Sequence, residues 1–98
     1  MSTKIFDVIV IGGGQAGLAV GYYLRRAKLD FIILDNQIQS GGAWRHTWPS
    51  LRLFSPAVMS SLPGRLMPKA KDNEYPHRDE VLSYLADYEQ HYQLPVYR

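Results

Sequence analysis

No cysteine occurs among the 98 residues, which excludes disulfides, thiolate metal sites and a redox-active cysteine pair within this chain. Histidine is scarce as well. His46, His77 and His91 are dispersed with no second histidine or acid at ligand spacing, so no metal centre is expected. A dominant charge is also missing: eleven Lys and Arg stand against nine Asp and Glu, a formal net charge of +2. The positive residues are scattered rather than gathered in a stripe, which argues against nucleic acid as a partner. Arg65, Lys69 and Lys71 lie near one another, but Pro63, Gly64 and Pro68 break that segment, and it reads as a solvated loop. Long apolar runs are absent. Val8 to Ile11 is far below the roughly 20 residues needed to cross a bilayer, and no small-residue cleavage site follows the opening residues. The expected location is cytoplasmic, with no membrane partner.

What is present is ordinary for a globular protein: 46% hydrophobic and 20% charged residues, in a length that allows one small domain at most. Its opening is not ordinary. The apolar run Ile5 to Ile11 leads into Gly12-Gly13-Gly14-Gln15-Ala16-Gly17 and then into a helix-like stretch. Strand, tight turn and helix are the context in which a G-x-G-x-x-G spacing carries a mechanism. Gly12 lets the chain turn off the strand, Gly14 removes the side chain that would hold a diphosphate away, and Gly17 allows close helix–strand packing. The diphosphate would rest on the amides and positive dipole end of the helix.

Along the chain, the β-branched run 5–11 predicts a parallel strand covered on both faces. A helix follows over about 15–27, with Ala16, Ala19, Val20, Tyr23, Leu24 and Ala27 forming one apolar stripe. Gly21 shares the face of Gly17, and both are expected to let the helix approach strand one. Phe31 to Leu34 predicts strand two, completing a right-handed βαβ unit. From Asn36 to Pro76 the chain is rich in Gly, Ser and Pro without a sustained period, an irregular excursion of a length usually tied to function. A second helix is predicted over about 79–92 with Val81, Leu85, Tyr88 and Tyr92 on its apolar stripe, preceded by His77 or Arg78 at the cap. Leu94 to Arg98 opens a third parallel strand. The fold class is α/β, a Rossmann-like FAD/NAD(P)-binding fold with a parallel sheet of order 3-2-1, incomplete as it stands. A sheet this small leaves an apolar face uncovered, so residues 1–98 are expected to be the front of a longer protein, and the uncovered sheet or helix faces are candidate surfaces for self-association.

Asp35 lies 18 residues after Gly17, directly behind strand two, close to the offset at which an acid meets a dinucleotide ribose. Its carboxylate can accept from the vicinal hydroxyls and would repel a 2′-phosphate, which favours FAD or NAD over NADP. The glycine loop does not separate FAD from NAD. In Gly41-Gly42-Ala43-Trp44 a second glycine pair can bring backbone near the diphosphate again, and Trp44 is either the wall of a flavin ring or a plain core aromatic.

Gly12 to Tyr23, the Ile33-Leu34-Asp35 ending, Gly41-Gly42-Ala43-Trp44-Arg45, Pro49 to Pro56 and Ser60 to Gly64 together resemble the N-terminal part of bacterial flavin-containing monooxygenase-like proteins, in the class B flavoprotein monooxygenases. The resemblance covers essentially the whole chain. It implies that Gly12, Gly13, Gly14, Gln15, Ala16 and Gly17 hold the FAD diphosphate, and that Asp35 with its neighbours Asn36 and Gln37 serves the adenosine ribose. Gly42, Trp44 and Arg45 would approach the phosphates and the flavin. Many relatives carry Glu at the ribose position, and the shorter Asp35 implies a monodentate or water-bridged contact. Leu51 to Pro56 would run beneath the flavin ring, with Arg52 either placing positive charge there or standing as a surface residue. The family's activity would be NADPH-dependent reduction of FAD, addition of oxygen, and donation of one oxygen atom from the flavin hydroperoxide to a small-molecule substrate, with the NADPH-binding domain and the substrate-selecting residues downstream. No side chain here is assigned a catalytic role. A disulfide reductase of the same opening fold and a stand-alone FAD/NAD-binding module without turnover are the alternatives. A crossover mouth plugged by its own chain, or Asp35 turned away into a salt link, would overturn the flavoprotein reading.

Overall fold

The computed structural model describes residues 4–72 and 75–98; residues 73 and 74 of the irregular excursion lie outside them. Three strands, β1 (Val8–Ile11), β2 (Phe31–Leu34) and β3 (Val96–Tyr97), form one parallel sheet in the order β1-β2-β3, which is the predicted 3-2-1 arrangement. Helix α1 (Gln15–Arg26) joins β1 to β2, and α2 (Arg78–His91) precedes β3. Between β2 and α2 the excursion contains two short 3-10 turns, Gly42–His46 and Ala57–Ser60, and returns through an antiparallel bridge between Arg52 and His77.

Register sorts the side chains. Val8 lies beside Phe31, and Val10 beside Ile33 and then Val96, and these face the helices around a core in which Leu18, Ile33, Leu85 and Tyr88 are fully buried. The opposite face carries Ile9, Ile11, Leu34 and Tyr97, all exposed. The expectation of a strand covered on both faces is therefore corrected: within the described residues only one face has helices on it.

The stripe expected on α1 is corrected too. Its buried residues are Gly17, Leu18 and Gly21, while Val20 and Tyr23 are exposed and Ala16 and Ala27 lie on the surface. Glycine is the reason. A Cβ on Gly17 would stand 1.9 Å from the Gly12 carbonyl oxygen, so the helix sits on the sheet by its bare backbone and the bulkier apolar residues are rotated outward. Gly21 does not face strand one as expected; its neighbours are Ile33 of β2 and Leu94.

Helix α2 begins one residue earlier than predicted, with His77 at the cap. The Glu80 carboxylate accepts from the His77 backbone N–H at 3.4 Å and pairs with its ring at 3.0 Å, which supplies part of what a Ser or Asp cap would have given. From this helix three tyrosines reach the excursion. The Tyr84 hydroxyl donates to the Arg65 carbonyl at 2.6 Å and accepts from the Leu62 amide at 2.8 Å; Tyr88 donates to the Pro63 carbonyl at 2.5 Å and Tyr92 to the Gly64 carbonyl at 2.6 Å. A loop without regular structure thereby has its carbonyls satisfied.

Candidate functional site

The glycine turn leaves β1 with Gly12 at φ +102° and its amide on the Leu34 carbonyl at 2.7 Å, so β1 and β2 stay paired to their tips. Gly14 is the N-cap of α1, and no side chain caps the first turn. The opening amides are thus left for an acceptor from outside the helix. The second glycine pair packs on the first loop: a Cβ on Gly42, at φ +54°, would stand 2.7 Å from the Gly14 Cα. The two glycine backbones therefore pack with no room for a side chain on Gly42 between them.

Two cavities flank the turn. One, of about 540 Å³, lies at the strand tips and is lined by Ile11, Gly12, Asp35, Asn36, Tyr97 and Arg98 among others. The second, of about 380 Å³ and mainly apolar, lies beyond the helix start and is lined by Gln15, Trp44, Leu51, Phe54, Met59 and Tyr84 among others. Gly12 borders the first and Gln15 the second, so the Gly12–Gln15 turn stands between them.

Trp44 binds this arrangement together, its indole N–H donating to the Gln15 side-chain oxygen at 3.3 Å. It both lines the apolar cavity and packs against the core. Gln37 meets Asn36 at 3.0 Å and the His46 ring at 2.7 Å, closing the loop behind the strand-tip cavity. Arg45 donates to the Ser40 carbonyl at 2.7 Å and borders a hollow beside α2 with Glu89 and Arg98, on the α2 side of its own loop. Arg52 lines the apolar cavity, with its guanidinium held by the Asp72 carboxylate and the Tyr75 carbonyl, each at 2.7 Å; its charge is compensated there.

Asp35 does enter a salt link. Its Oδ2 accepts from Arg98 Nε at 3.0 Å, and the carboxylate is 4% exposed. Arg98 was not singled out by the sequence reading, although the order 3-2-1 carried the signal: Leu34 pairs with Tyr97, so the residues that follow, Asp35 and Arg98, must come side by side. The salt link named in advance is thus present, while Asp35 is still among the residues that line the strand-tip cavity.

Known proteins fit this geometry. Residues 9–98 match the family model described as pyridine nucleotide-disulphide oxidoreductase. A flavin-containing monooxygenase from Stenotrophomonas maltophilia superposes with a TM-score of 0.91 at 59% identity, over 95% of this chain and 28% of its own. An uncharacterized oxidoreductase CzcO-like of Geobacillus kaustophilus is 46% identical over 95% of this chain and 26% of the relative. Indole-3-pyruvate monooxygenase YUCCA4 of Oryza sativa is 36% identical over 97% of this chain and 23% of the relative. The chain thus spans about a quarter of the length of these relatives. Among the described residues no helix is long and apolar enough to cross a membrane. With its glycine turn at the tip of β1 and a parallel α/β sheet behind it, the chain belongs to the pyridine nucleotide-disulphide oxidoreductase family, on the side that resembles the flavin-containing monooxygenases.

Proposed function

We propose that this chain binds FAD as the N-terminal portion of an FAD-binding domain, in an enzyme that uses NAD(P)H and oxygen to place one oxygen atom on a small-molecule substrate. One observation carries the reading: the glycine turn stands between a cavity at the strand tips that the Asp35 side chain borders and another behind Trp44. A dinucleotide with a sugar-bearing half, a diphosphate and a flat aromatic half has this sequence of requirements. Gly12 to Gly17 would take the diphosphate, Asp35, Asn36 and Gln37 would border the ribose, and Gly42, Trp44 and the 51–54 segment would border the flavin. Arg45, turned toward α2 and Ser40, would act by holding the second glycine pair.

The flavin, when bound, supplies the electron-transfer and oxygen chemistry. This chain's residues orient it and keep water from it. Leu51, Phe54 and Met59 give the second cavity an apolar lining, which suits an aromatic ring that must be kept dry. The lack of cysteine removes dithiol chemistry from this part of the protein and favours oxygenation over disulfide reduction. NAD(P)H binding and substrate choice would fall to residues beyond this chain.

The test is the intact protein's cofactor content and consumption. Heat-released FAD in near-equimolar amount, NAD(P)H oxidation that depends on oxygen, and no dithiol-dependent turnover are expected. Protein that takes up no FAD from a saturating solution overturns the reading.

A further inference from the structure

The role proposed here for the pairing of Asp35 with Arg98 rests on the FAD reading above. Arg98 is gripped before it reaches Asp35. Its Nη1 and Nη2 donate to the two Glu89 carboxylate oxygens at 2.7 and 2.8 Å, while Nε donates to Asp35 Oδ2 at 3.0 Å. A two-pronged carboxylate contact fixes the guanidinium plane, so the third N–H has one direction only. Both side chains are largely shielded, that of Arg98 at 18% and that of Asp35 at 4% exposure. Hydrogen bonding to Glu89, against the opposing effect of burial, raises the pKa of Arg98 above its usual value.

Asp35 is confined on its other side as well. A Cβ on Gly13 would lie 3.0 Å from Oδ2 and 3.1 Å from Cγ, so the carboxylate is tucked under the glycine turn. Its Oδ1 has no partner among the described residues. No buried side-chain polar atom there lacks a partner, so Oδ1 is not sealed in, and Asp35 borders the strand-tip cavity.

We propose that Arg98, held by Glu89, is a positioning residue that pins Asp35 Oδ2 beneath the glycine turn and presents Oδ1 alone to a ribose hydroxyl of the cofactor. The sugar is then recognised by one hydrogen bond of fixed direction. The line Glu89, Arg98, Asp35, Gly13 ties α2 and the tips of β3 and β2 to the diphosphate turn. Asp35 meets the sugar as half of an ion pair, which makes recognition depend on hydrogen-bond geometry more than on net charge.

The experiment uses the intact protein stripped of flavin and titrated with FAD and with an FAD analogue whose adenosine lacks both ribose hydroxyls. The wild type should prefer FAD by on the order of tenfold, the scale of one charge-assisted hydrogen bond. Arg98→Gln should bring that preference close to one, Arg98→Lys should recover part of it because an ammonium cannot reproduce the fork, and Arg98→Gln should add nothing in an Asp35→Asn background. A purely structural arginine would lower the affinity for both ligands equally and leave the preference unchanged, and that result overturns the proposal while FAD binding stands. If Arg98→Gln does not fold, Glu89→Gln carries the test, with a preference reduced about threefold expected and an unchanged one overturning the proposal. A wild type that binds FAD without preference overturns the positioning role alone; one that binds no FAD overturns the functional reading and this proposal with it.

Discussion

The βαβ unit and the excursion from Asn36 to Pro76 are held together by opposite means. In the first, backbone meets backbone: Gly17 against the Gly12 carbonyl, Gly42 against Gly14. In the second, side-chain hydroxyls from α2 span the gap to main-chain carbonyls at Pro63, Gly64 and Arg65. The first region fails when an atom is added and the second when an atom is removed. Both support the site, the one by forming its floor and the other by holding the wall of the apolar cavity, where Tyr84 is shared.

The largest effect should come from adding an atom at Gly17. Gly17→Ala places a Cβ 1.9 Å from backbone oxygen, which only a shift of the whole helix can relieve, and should cost about 3 kcal/mol or more together with FAD retention. Gly21→Ala is the control, since its neighbours at 3.1 and 3.3 Å are the ends of Ile33 and Leu94 side chains; it should cost no more than about 1 kcal/mol. Urea melts and flavin content of the two variants measure the contrast, and equal losses would remove the distinction drawn between backbone and side-chain neighbours.

Removing the Tyr88 hydroxyl comes next. Tyr88→Phe removes the hydroxyl of a fully buried side chain and leaves the partly buried Pro63 carbonyl without its donor, which should cost about 1–2 kcal/mol, with FAD affinity little changed. Burial, above all, raises the pKa values of Tyr84 and Tyr88 above the usual phenol range. Below about pH 10 both are neutral folded or unfolded; above it the unfolded chain releases its protons first, so stability falls as pH climbs toward the raised folded values. Melts at about pH 8 and about pH 11 should show this alkaline loss, reduced in Tyr88→Phe. The smallest effect belongs to the rim. Asp87→Asn breaks the pair with Arg65 at 2.6 Å, but the side chains are 53% and 37% exposed, and the cost should stay below about 0.5 kcal/mol by the same melts.

What could be read in the sequence follows the same division. The turn Gly12 to Gly17, β2 ending at Asp35 and the α2 stripe through Val81, Leu85 and Tyr88 are local patterns, and local patterns are written in consecutive residues. The buried face of α1 was misjudged because apolar periodicity weighs side chains, and here the contact is made where there is none. Both helices end at non-glycine residues in the left-handed region, Lys28 at φ +59° and Gln93 at φ +49°, where the usual glycine signal is missing. Tyr84, 3% exposed, also lies on the α2 stripe at the i+3 position from Val81, but its hydroxyl's partner, a loop carbonyl 19 residues away, is not written in that periodicity. The Arg98–Asp35 pair spans 63 positions and becomes visible only once sheet order is laid over the list of strand ends.

Tyr84, Tyr88 and Tyr92 stand four residues apart, so each successive phenol is offset by only about 40° around the helix axis. The three form a scale whose notches each hold one carbonyl of the segment Pro63 to Arg65, though not in chain order: Arg65 on Tyr84, Pro63 on Tyr88 and Gly64 on Tyr92. A single residue inserted between Tyr84 and Tyr92 would swing every later notch by about 100° and set the segment adrift, whereas extra length before Ser61 would leave the scale in phase. The helix therefore has a fixed count of residues for a reason that lies outside its own hydrogen bonding.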